Sequence, residues 1–231
     1  MNKITFIGLL LIVMSCGKHP TSNNLNEKDT ADVSAYVDPN IGTAHSRWFF
    51  YTPAAVPFGM AKLGPSTNGS YGNEQGWEAV GYDERHQSIE GFANLHEFQI
   101  GGFLFTAMTG ELKTTPGSLE QPDEGYRSRF DKNDEIARPG SYQVRLKDYD
   151  IDVALTATER VGFQKYTFPK SDSAYLIFDI GNKLGESGEV KDAKVWFDKA
   201  TNTIEGWVIT YPEYVKKYQP NGEVRMYFSG L

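Results

Sequence analysis

Two side chains in the loop-rich stretch 38–110 are suited to contact with a polar ligand. Trp77 stands between Gly76 and Glu78, outside any alternating strand pattern. Its indole offers a flat apolar face that can stack on the C–H face of a sugar ring, and its Nε1–H can donate to a hydroxyl. The imidazole of His96 can donate to or accept from such a hydroxyl near pH 7. Each also has a structural interpretation, Trp77 as a packing residue and His96 as a side chain that holds a loop.

Two further residues are candidates for the same pocket. Glu97 can accept hydrogen bonds from hydroxyls, or it can be a solvated carboxylate. His45 follows Gly42-Thr43-Ala44, and its ring can reach a pocket or bond within its own loop. Carboxyls also cluster in this half of the chain, at Asp83-Glu84, Glu90 and Glu97. Because their spacing marks no acid–base pair, we assign no catalytic residue.

Composition and spacing argue against several other kinds of site. Lys plus Arg number 23 against 30 Asp plus Glu, a net charge of -7, and no basic patch suggests a nucleic-acid partner. The single Cys excludes an intrachain disulfide and a Cys-based zinc cluster. His86, His96 and Glu97 lack the spacing of a helical zinc motif, and no Asp-rich calcium loop is found. We therefore predict no metal site in this chain.

The elements that must position these residues are predominantly strands. Apolar and polar residues alternate in short segments separated by turn residues, and no long helical periodicity is found. The pattern predicts an all-β fold, an antiparallel β-sandwich with long loops from 38–110 at one end. The run 175–180 is continuously apolar except for Asp179, which predicts a strand covered on both faces. The other clear predicted strands are 142–146, 151–155, 163–168, 195–197, 204–211 and 224–228.

The N-terminus has the pattern of an export signal. A short positive start precedes the apolar run 4–14, which is too short to span a bilayer as a helix. Val13-Met14-Ser15-Cys16 resembles a bacterial lipobox, in which the thiol is acylated and becomes the mature N-terminus. We predict a signal peptide over 1–15, lipidation at Cys16 and a flexible tether over 16–33. This predicts an exported protein, lipid-anchored to the bacterial cell envelope (periplasm or outer membrane). The alternative is a free or buried Cys in a plain signal peptide.

Four ordered blocks of sequence resemble the N-terminal domain of glycoside hydrolase family 92, the calcium-dependent exo-acting α-mannosidases. The first block is Val37-Asp38-Pro39-Asn40-Ile41-Gly42-Thr43, and the second is Pro53-Ala54-Ala55-Val56-Pro57-Phe58-Gly59-Met60. The third comprises Gly76-Trp77, Gly81-Tyr82, Ile89-Glu90-Gly91-Phe92 and His96. The fourth begins with Arg138-Pro139-Gly140-Ser141-Tyr142 and continues to Pro169. Their shared order over 37–169 makes the resemblance more specific than any one motif.

The resemblance implies a β-sandwich that precedes a much longer (α/α)6 barrel. In the family, the general acid, the general base and most calcium-binding groups lie in that barrel, and the Trp that Trp77 matches helps form the mannose pocket at the domain interface. Inverting hydrolysis needs two carboxyls about 6.5–9.5 Å apart. We therefore expect residues 34–231 to form the β-sandwich domain, with the barrel absent and no hydrolysis by this chain alone. Calcium is implied for the full-length family, and no cofactor is expected in this chain.

One departure from the family pattern falls beside the candidate pocket. The family block usually reads Gly-Phe-Ser-His-Thr-His-Leu-Ser-Gly-Thr-Gly. Here the first His is Asn94, the second is retained as His96, and Glu97-Phe98-Gln99 replaces Leu-Ser-Gly. The resemblance therefore implies an altered pocket wall and an altered linkage or aglycone preference.

Three functions are consistent with these observations. The leading prediction is the N-terminal domain of a family 92-like α-mannosidase, with a mannose-containing glycan, the missing barrel and a membrane (through the lipid anchor) as partners. The alternative is a free-standing carbohydrate-binding lipoprotein without catalysis. The third is a non-functional fragment that exposes the apolar face on which a barrel would dock.

Overall fold

The computed structural model describes residues 32–44, 51–68, 81–97, 100–101, 103–181 and 188–231. The chain divides into two compact units, Met1–Val33 and Ser34–Leu231. Every strand of the described residues lies in the second unit. The fold is mostly β with antiparallel sheets, so the predicted all-β, sandwich-like class is confirmed.

The described residues contain fifteen strands, one short α-helix and two 3-10 turns. The helix α1 is Glu213–Tyr218, and the 3-10 turns are Val33–Tyr36 and Pro122–Glu124. The strands are Gly64–Ser66 (β1), Ser88–Ile89 (β2), Gly91–Ala93 (β3), His96–Glu97 (β4), Ile100–Gly101 (β5), Leu104–Thr109 (β6), Ser128–Arg129 (β7), Ile136–Arg138 (β8), Ser141–Leu146 (β9), Ile151–Ala157 (β10), Gly162–Thr167 (β11), Ala174–Asp179 (β12), Val190–Asp198 (β13), Thr203–Thr210 (β14) and Val224–Gly230 (β15).

The most regular sheet has the order β11-β10-β9-β8. In β9, Tyr142, Val144 and Leu146 are buried, and their neighbours Gln143 and Arg145 are not. Strand β10 repeats this alternation with a buried apolar residue at every second position. This confirms the period-two patterns of the sequence, because side chains of successive strand residues point to opposite faces.

A second four-stranded sheet, β1-β3-β6-β12, packs against the first. Phe92 of β3 reaches across to Tyr142 and Tyr166, with ring centroids 6.5 Å and 6.2 Å apart. Met108 of β6 and Leu63 belong to the same buried cluster. The two sheets therefore enclose one apolar core, as in a sandwich.

Strand β12 differs from the prediction that both its faces are covered. Tyr175 and Ile177 pack against the core, but Leu176 on the opposite face is 60% exposed. The reason is that few of the described residues pack on the outer face of this strand. Only one end of its outer face is covered, where Phe178 contacts the ring of Phe228 at a centroid distance of 4.6 Å.

The third sheet is the meander β13-β14-β15. Its inner face joins the rest of the fold through Phe228, whose ring lies 4.4 Å from that of Phe103. Trp196 and Trp207, interpreted from the sequence as packing residues, both lie in this sheet. Trp196 is half-exposed and donates through Nε1 to Glu205, whereas Trp207 is partly covered by the Arg225 guanidinium at 5.2 Å.

Two smaller pairs, β2-β7 and β4-β5, complete the sheets of the described residues. They lie in or beside the stretch 38–110, where strands are short and loops long, as the Gly- and Pro-rich sequence predicts. In the part of the chain that the structure describes, no helix has the length and apolar character needed to cross a membrane.

Candidate functional site

His96 lies on the short strand β4, which pairs with β5 through His96 and Gly101. Its Nδ1 is 3.0 Å from the backbone oxygen of Lys62, to which it donates in the corresponding tautomer. Its ring stacks on Tyr51, with centroids 4.3 Å apart and planes 11° from parallel. Only 6% of the residue is exposed. The imidazole therefore ties β4 to the segment that precedes β1, the structural role considered for it from the sequence.

The protonation state of His96 follows from this burial. Burial lowers the pKa of His96 to about 4, and hydrogen bonds with the backbone of Lys62 and Pro65 offset only part of that effect. The ring is neutral at pH 7 and presents one donor and one acceptor. Its contact with a sugar hydroxyl stays a prediction.

A cluster of polar side chains lies between β1, the segment 81–90 and Arg127. We call it the Arg127 cluster, and it comprises Ser66, Thr67, Asp83, His86, Glu90 and Arg127. Ser66 donates to Glu90 Oε1 at 2.7 Å, and the Thr67 hydroxyl lies 2.9 Å from Nδ1 of His86. Except for His86, its members are buried.

Arg127 is the central cation of this cluster. Its Nη2 lies 3.6 Å from Glu90 Oε2 and donates to the backbone oxygen of Thr67 at 2.5 Å. Its Nε is buried and has no hydrogen-bond partner among the residues that the structure describes. Burial lowers the pKa of Arg127, while the Glu90 charge opposes that change. The guanidinium thereby fixes the ends of β1 and β3 relative to each other.

The carboxylate and imidazole at the edge of the cluster are also perturbed. Burial raises the pKa of Asp83, but hydrogen bonds from the Arg85 side chain and backbone outweigh it and lower that pKa to about 2. Burial lowers the pKa of His86 as well, against the opposing charge of Asp83. Asp83 is therefore ionised and His86 neutral at pH 7.

Two further carboxylates, the buried side chain of Glu135 and the partly buried Asp179, accept hydrogen bonds from hydroxyl donors. Glu135 Oε1 accepts from the hydroxyls of Tyr82 and Tyr142, each at 2.8 Å. Asp179 accepts from the Tyr126 hydroxyl, and burial followed by this hydrogen bond raises the pKa of Tyr126. These contacts make both carboxylates structural, because their lone pairs already bind donors of the fold.

The predicted site residues are only partly covered by the structure. Trp77, His45 and the lipidation candidate Cys16 lie outside the described residues, as does Trp48. The backbone of Glu97 pairs with Ile100 in β4-β5, but its side chain lies outside the described set. The structure therefore does not test the predicted sugar pocket.

The described residues also show no candidate metal site. Within the described ranges, no group of three or more His, Cys, Asp or Glu side chains lies close enough together to hold a metal ion.

Comparison with protein families gives the lineage of this fold. The sequence model of the glycosyl hydrolase family 92 N-terminal domain matches residues 36–230. The chain belongs to glycosyl hydrolase family 92. The four sequence blocks from which this family was expected lie within the match.

Solved structures agree with the family 92 assignment. A family GH92 α-mannosidase from Bacteroides thetaiotaomicron superposes with a TM-score of 0.74 at 30% identity, over 85% of this chain and 25% of that chain. Its complex with mannoimidazole gives a TM-score of 0.73 at 31% identity, with the same coverage. A family GH92 inverting mannosidase from Bacteroides thetaiotaomicron VPI-5482 has 21% identity and a TM-score of 0.59 over 80% of this chain and 23% of that chain, and this match supports the fold alone.

This family 92 chain spans about a quarter of the length of those solved relatives. A search of curated proteins found no match.

The Arg127 cluster is the part of this family 92 domain that sequence reasoning did not find. Asp83 and Glu90 were noted as clustered carboxyls without acid–base spacing and His86 as lacking the spacing of a zinc ligand, whereas Arg127, Ser66 and Thr67 were not singled out. Glu90 and Arg127 come from segments that no periodic pattern connects, so their contact depends on tertiary packing. The one available signal was the placement of Glu90 in the third family block.

Proposed function

We propose that this chain is the N-terminal domain of an α-mannosidase and supplies one wall of the pocket that binds a terminal α-mannoside. The observation that carries the proposal is its 31% identity, over 85% of its length, to an α-mannosidase whose structure holds mannoimidazole. In this proposal Trp77 stacks on the sugar, and His96, Glu97 and His45 contribute polar contacts or hold the loops that do. Mannose-containing glycans are the proposed ligands.

The described residues support a domain that shapes a pocket without moving protons. Glu90, Glu135 and the partly buried Asp179 are engaged by Arg, Lys or hydroxyl donors. The catalytic carboxyls are therefore proposed to come from the part of an α-mannosidase that extends beyond this quarter. The purified chain alone is expected to release no mannose from an α-mannoside, with or without calcium.

Calcium is proposed to bind outside this domain. Among the described residues, no three His, Cys, Asp or Glu side chains lie close enough together to hold a metal ion. The buried carboxylates Glu90 and Glu135 already accept hydrogen bonds from hydroxyl groups of the protein. Calcium prefers six to eight oxygen ligands, so the described donor set does not fit it. We assign no step of the reaction to a metal held by these residues.

The test is a chimeric enzyme, in which residues 36–230 replace the matched quarter of the Bacteroides thetaiotaomicron α-mannosidase. The chimeric enzyme is expected to hydrolyse an α-mannoside. Trp77→Ala in it should lower kcat/KM by about 10- to 100-fold, equivalent to 1.4–2.8 kcal/mol of transition-state stabilisation. The matched control is Trp196→Ala, which removes a half-exposed Trp of the third sheet and should leave kcat/KM within about twofold.

The outcomes of this test separate the candidate functions. A chimeric enzyme that is folded, as shown by a cooperative unfolding transition, but releases no mannose would contradict the α-mannosidase proposal. Saturable glycan binding by the isolated chain, together with an inactive chimeric enzyme, would favour the free-standing binding protein instead.

We further propose that the chain is exported and attached to the cell envelope through a lipid on Cys16. The support is the short apolar run that ends at Ser15-Cys16, followed by a polar stretch. Mass spectrometry of the envelope-extracted protein should find an acylated Cys16 at the N-terminus, and Cys16→Ser should release the protein from the membrane fraction. A mature N-terminus elsewhere, without lipid, would contradict it.

A further inference from the structure

Phe58 combines full exposure with an unusual backbone conformation. Its φ is +60°, in the left-handed region that non-glycine residues rarely occupy, and its side chain is fully exposed. The turn around it is fixed, because the Gly59 N–H donates to Val56 O at 3.0 Å and the Met60 N–H donates to Glu159 O at 2.7 Å. The flanking residues Ala54 and Leu63 pair and are buried. The fold thus holds an aromatic residue with a strained backbone outward, fully exposed and without packing from the described residues.

Phe58 stands at the edge of a larger apolar surface. We define the Phe58 surface as Val37, Ile41, Val56, Pro57, Phe58 and Met60. Val37, Ile41 and Met60 are more than half exposed. Beside them lies a cavity of about 640 Å³ whose lining is mostly apolar. The lining residues are Val37, Pro39, Ile41, Tyr51, Pro53, Ala55, Val56, Pro57, Pro139 and Gly140. An apolar concavity with a rim of protruding apolar side chains is typical of a protein interface.

The lining of this cavity comes from the sequence blocks that identify the family. Val37, Pro39 and Ile41 belong to the first block, and Pro53, Ala55, Val56 and Pro57 belong to the second. Pro139 and Gly140 belong to the fourth. These separated segments converge on one surface, although the sandwich core lies elsewhere. Parts of three of the four family blocks therefore line a concave face that the other described residues leave open.

We propose that the Phe58 surface is the docking site for the remaining part of a family 92 α-mannosidase. The occupant follows from length, because this chain covers only 25% of the solved α-mannosidase that it matches at 30% identity. In that solved α-mannosidase, the unmatched three quarters are the part of the protein available to cover such a face. This inference rests on the proposed function, and it adds that the rest of the enzyme contacts this domain at the Phe58 surface.

The experiment uses hydroxyl-radical footprinting of the isolated chain and of the chimeric enzyme. Phe58 and Met60 should be modified about tenfold more slowly in the chimeric enzyme, because aromatic rings and the Met sulfur react according to their exposure. Tyr227, which is 70% exposed on the third sheet, is the control whose rate should stay the same. Met108, which is fully buried, sets the protected limit in both samples. Equal modification of Phe58 and Met60 in the two samples would overturn the docking proposal.

Substitution gives an independent readout when the two parts are co-expressed as separate chains. Phe58→Ser should weaken their association about 30-fold, the effect of a hot-spot residue worth about 2 kcal/mol. Leu176→Ser, at an apolar residue of β12 that is 60% exposed, should change the association less than about twofold. If the complex stays intact with Phe58→Ser, the docking proposal is wrong. If this chain associates with itself and Phe58→Ser abolishes that association, the Phe58 surface is an interface between two copies of the chain instead.

These readouts distinguish the docking proposal from the proposed function. A chimeric enzyme that hydrolyses α-mannosides without protecting Phe58 would overturn only the docking site. Protection without hydrolysis would overturn only the α-mannosidase function. Should the chimeric enzyme fail to fold, the solved α-mannosidase decides the docking site, since the residue superposing on Phe58 must be buried against residues outside the matched quarter. An exposed residue there would overturn the proposal.

Discussion

Replacing Arg127 by Leu is expected to destabilise the domain by about 3–5 kcal/mol, the usual cost of breaking a buried ion pair from one side. The Arg127 side chain is 1% exposed and that of Glu90 is 5% exposed. Leu would remove both the ion pair with Glu90 and the hydrogen bond to the Thr67 carbonyl. The carboxylate would then stay buried without that cation, which is the main part of the expected loss.

Two control variants isolate the reason for this loss. Arg127→Leu combined with Glu90→Leu removes the charge together with its partner, and should recover at least about 1–2 kcal/mol relative to the single variant. Full recovery is not expected, because the Ser66 hydroxyl loses the Glu90 acceptor. Arg145→Leu removes a surface Arg that pairs with Asp150 and Asp152, and should cost only about 0–1 kcal/mol.

Urea unfolding at pH 7 measures these differences. Arg127→Leu should lower the unfolding midpoint with little change in the slope against urea concentration, since the surface exposed on unfolding is nearly the same. A cost for Arg127→Leu within about 1 kcal/mol of that for Arg145→Leu would refute the role assigned to the buried pair. So would a double variant less stable than the single one.

Three further outcomes are expected. Gly206→Ala should cost about 1–3 kcal/mol, because its Cβ would overlap the Lys194 carbonyl and the Phe228 ring, whereas Gly230→Ala has its nearest atom at 3.6 Å and should change the melting temperature little; equal shifts would contradict this. Stability should fall by about 3 kcal/mol as pH drops from 6.5 to 4, because the folded pKa of His96 is about 4 and the unfolded chain binds the proton first; His96→Gln should flatten this dependence in urea titrations at each pH. Stability should fall again between pH 3.8 and 2, because the pKa of Asp83 is also lower in the folded protein than in the unfolded chain. If an Arg85→Gln variant keeps this second loss of stability, the hydrogen bonds from Arg85 are not the cause of the lowered pKa.

The sheet of β8–β11 could be predicted from the sequence because local information determines it. Tyr142, Val144 and Leu146 alternate with polar residues, and the hairpin to Ile151 brings a second alternating strand beside them. One face of this sheet meets the core and the other meets solvent, so burial and sequence period coincide.

Strand β12 shows where such reasoning failed. Its apolar run was expected to be covered on both faces, but the residue types do not specify whether another layer will pack on the outer face. Phe178 contacts the ring of Phe228 on that face, whereas Leu176 on the same face is 60% exposed. Packing between layers depends on contacts between distant segments, which the local pattern does not contain.

The candidate site was predictable only in part, since it depends on contacts between distant segments. His96 was recognised by residue type, but its hydrogen bond to Lys62 and its stacking on Tyr51 required the fold. Likewise, the family blocks were visible in the sequence, whereas their convergence around one cavity beside Phe58 became visible only in three dimensions.

Mannose release from an α-mannoside by the chimeric enzyme, measured beside the isolated chain under the same conditions, decides whether this domain shapes a mannoside pocket. We expect hydrolysis by the chimeric enzyme, none by the isolated chain, and a loss of kcat/KM when Trp77 is replaced by Ala. A folded chimeric enzyme without activity, or an isolated chain that releases mannose by itself, would contradict the claim that this domain shapes a mannoside pocket whose proton-transfer groups lie elsewhere.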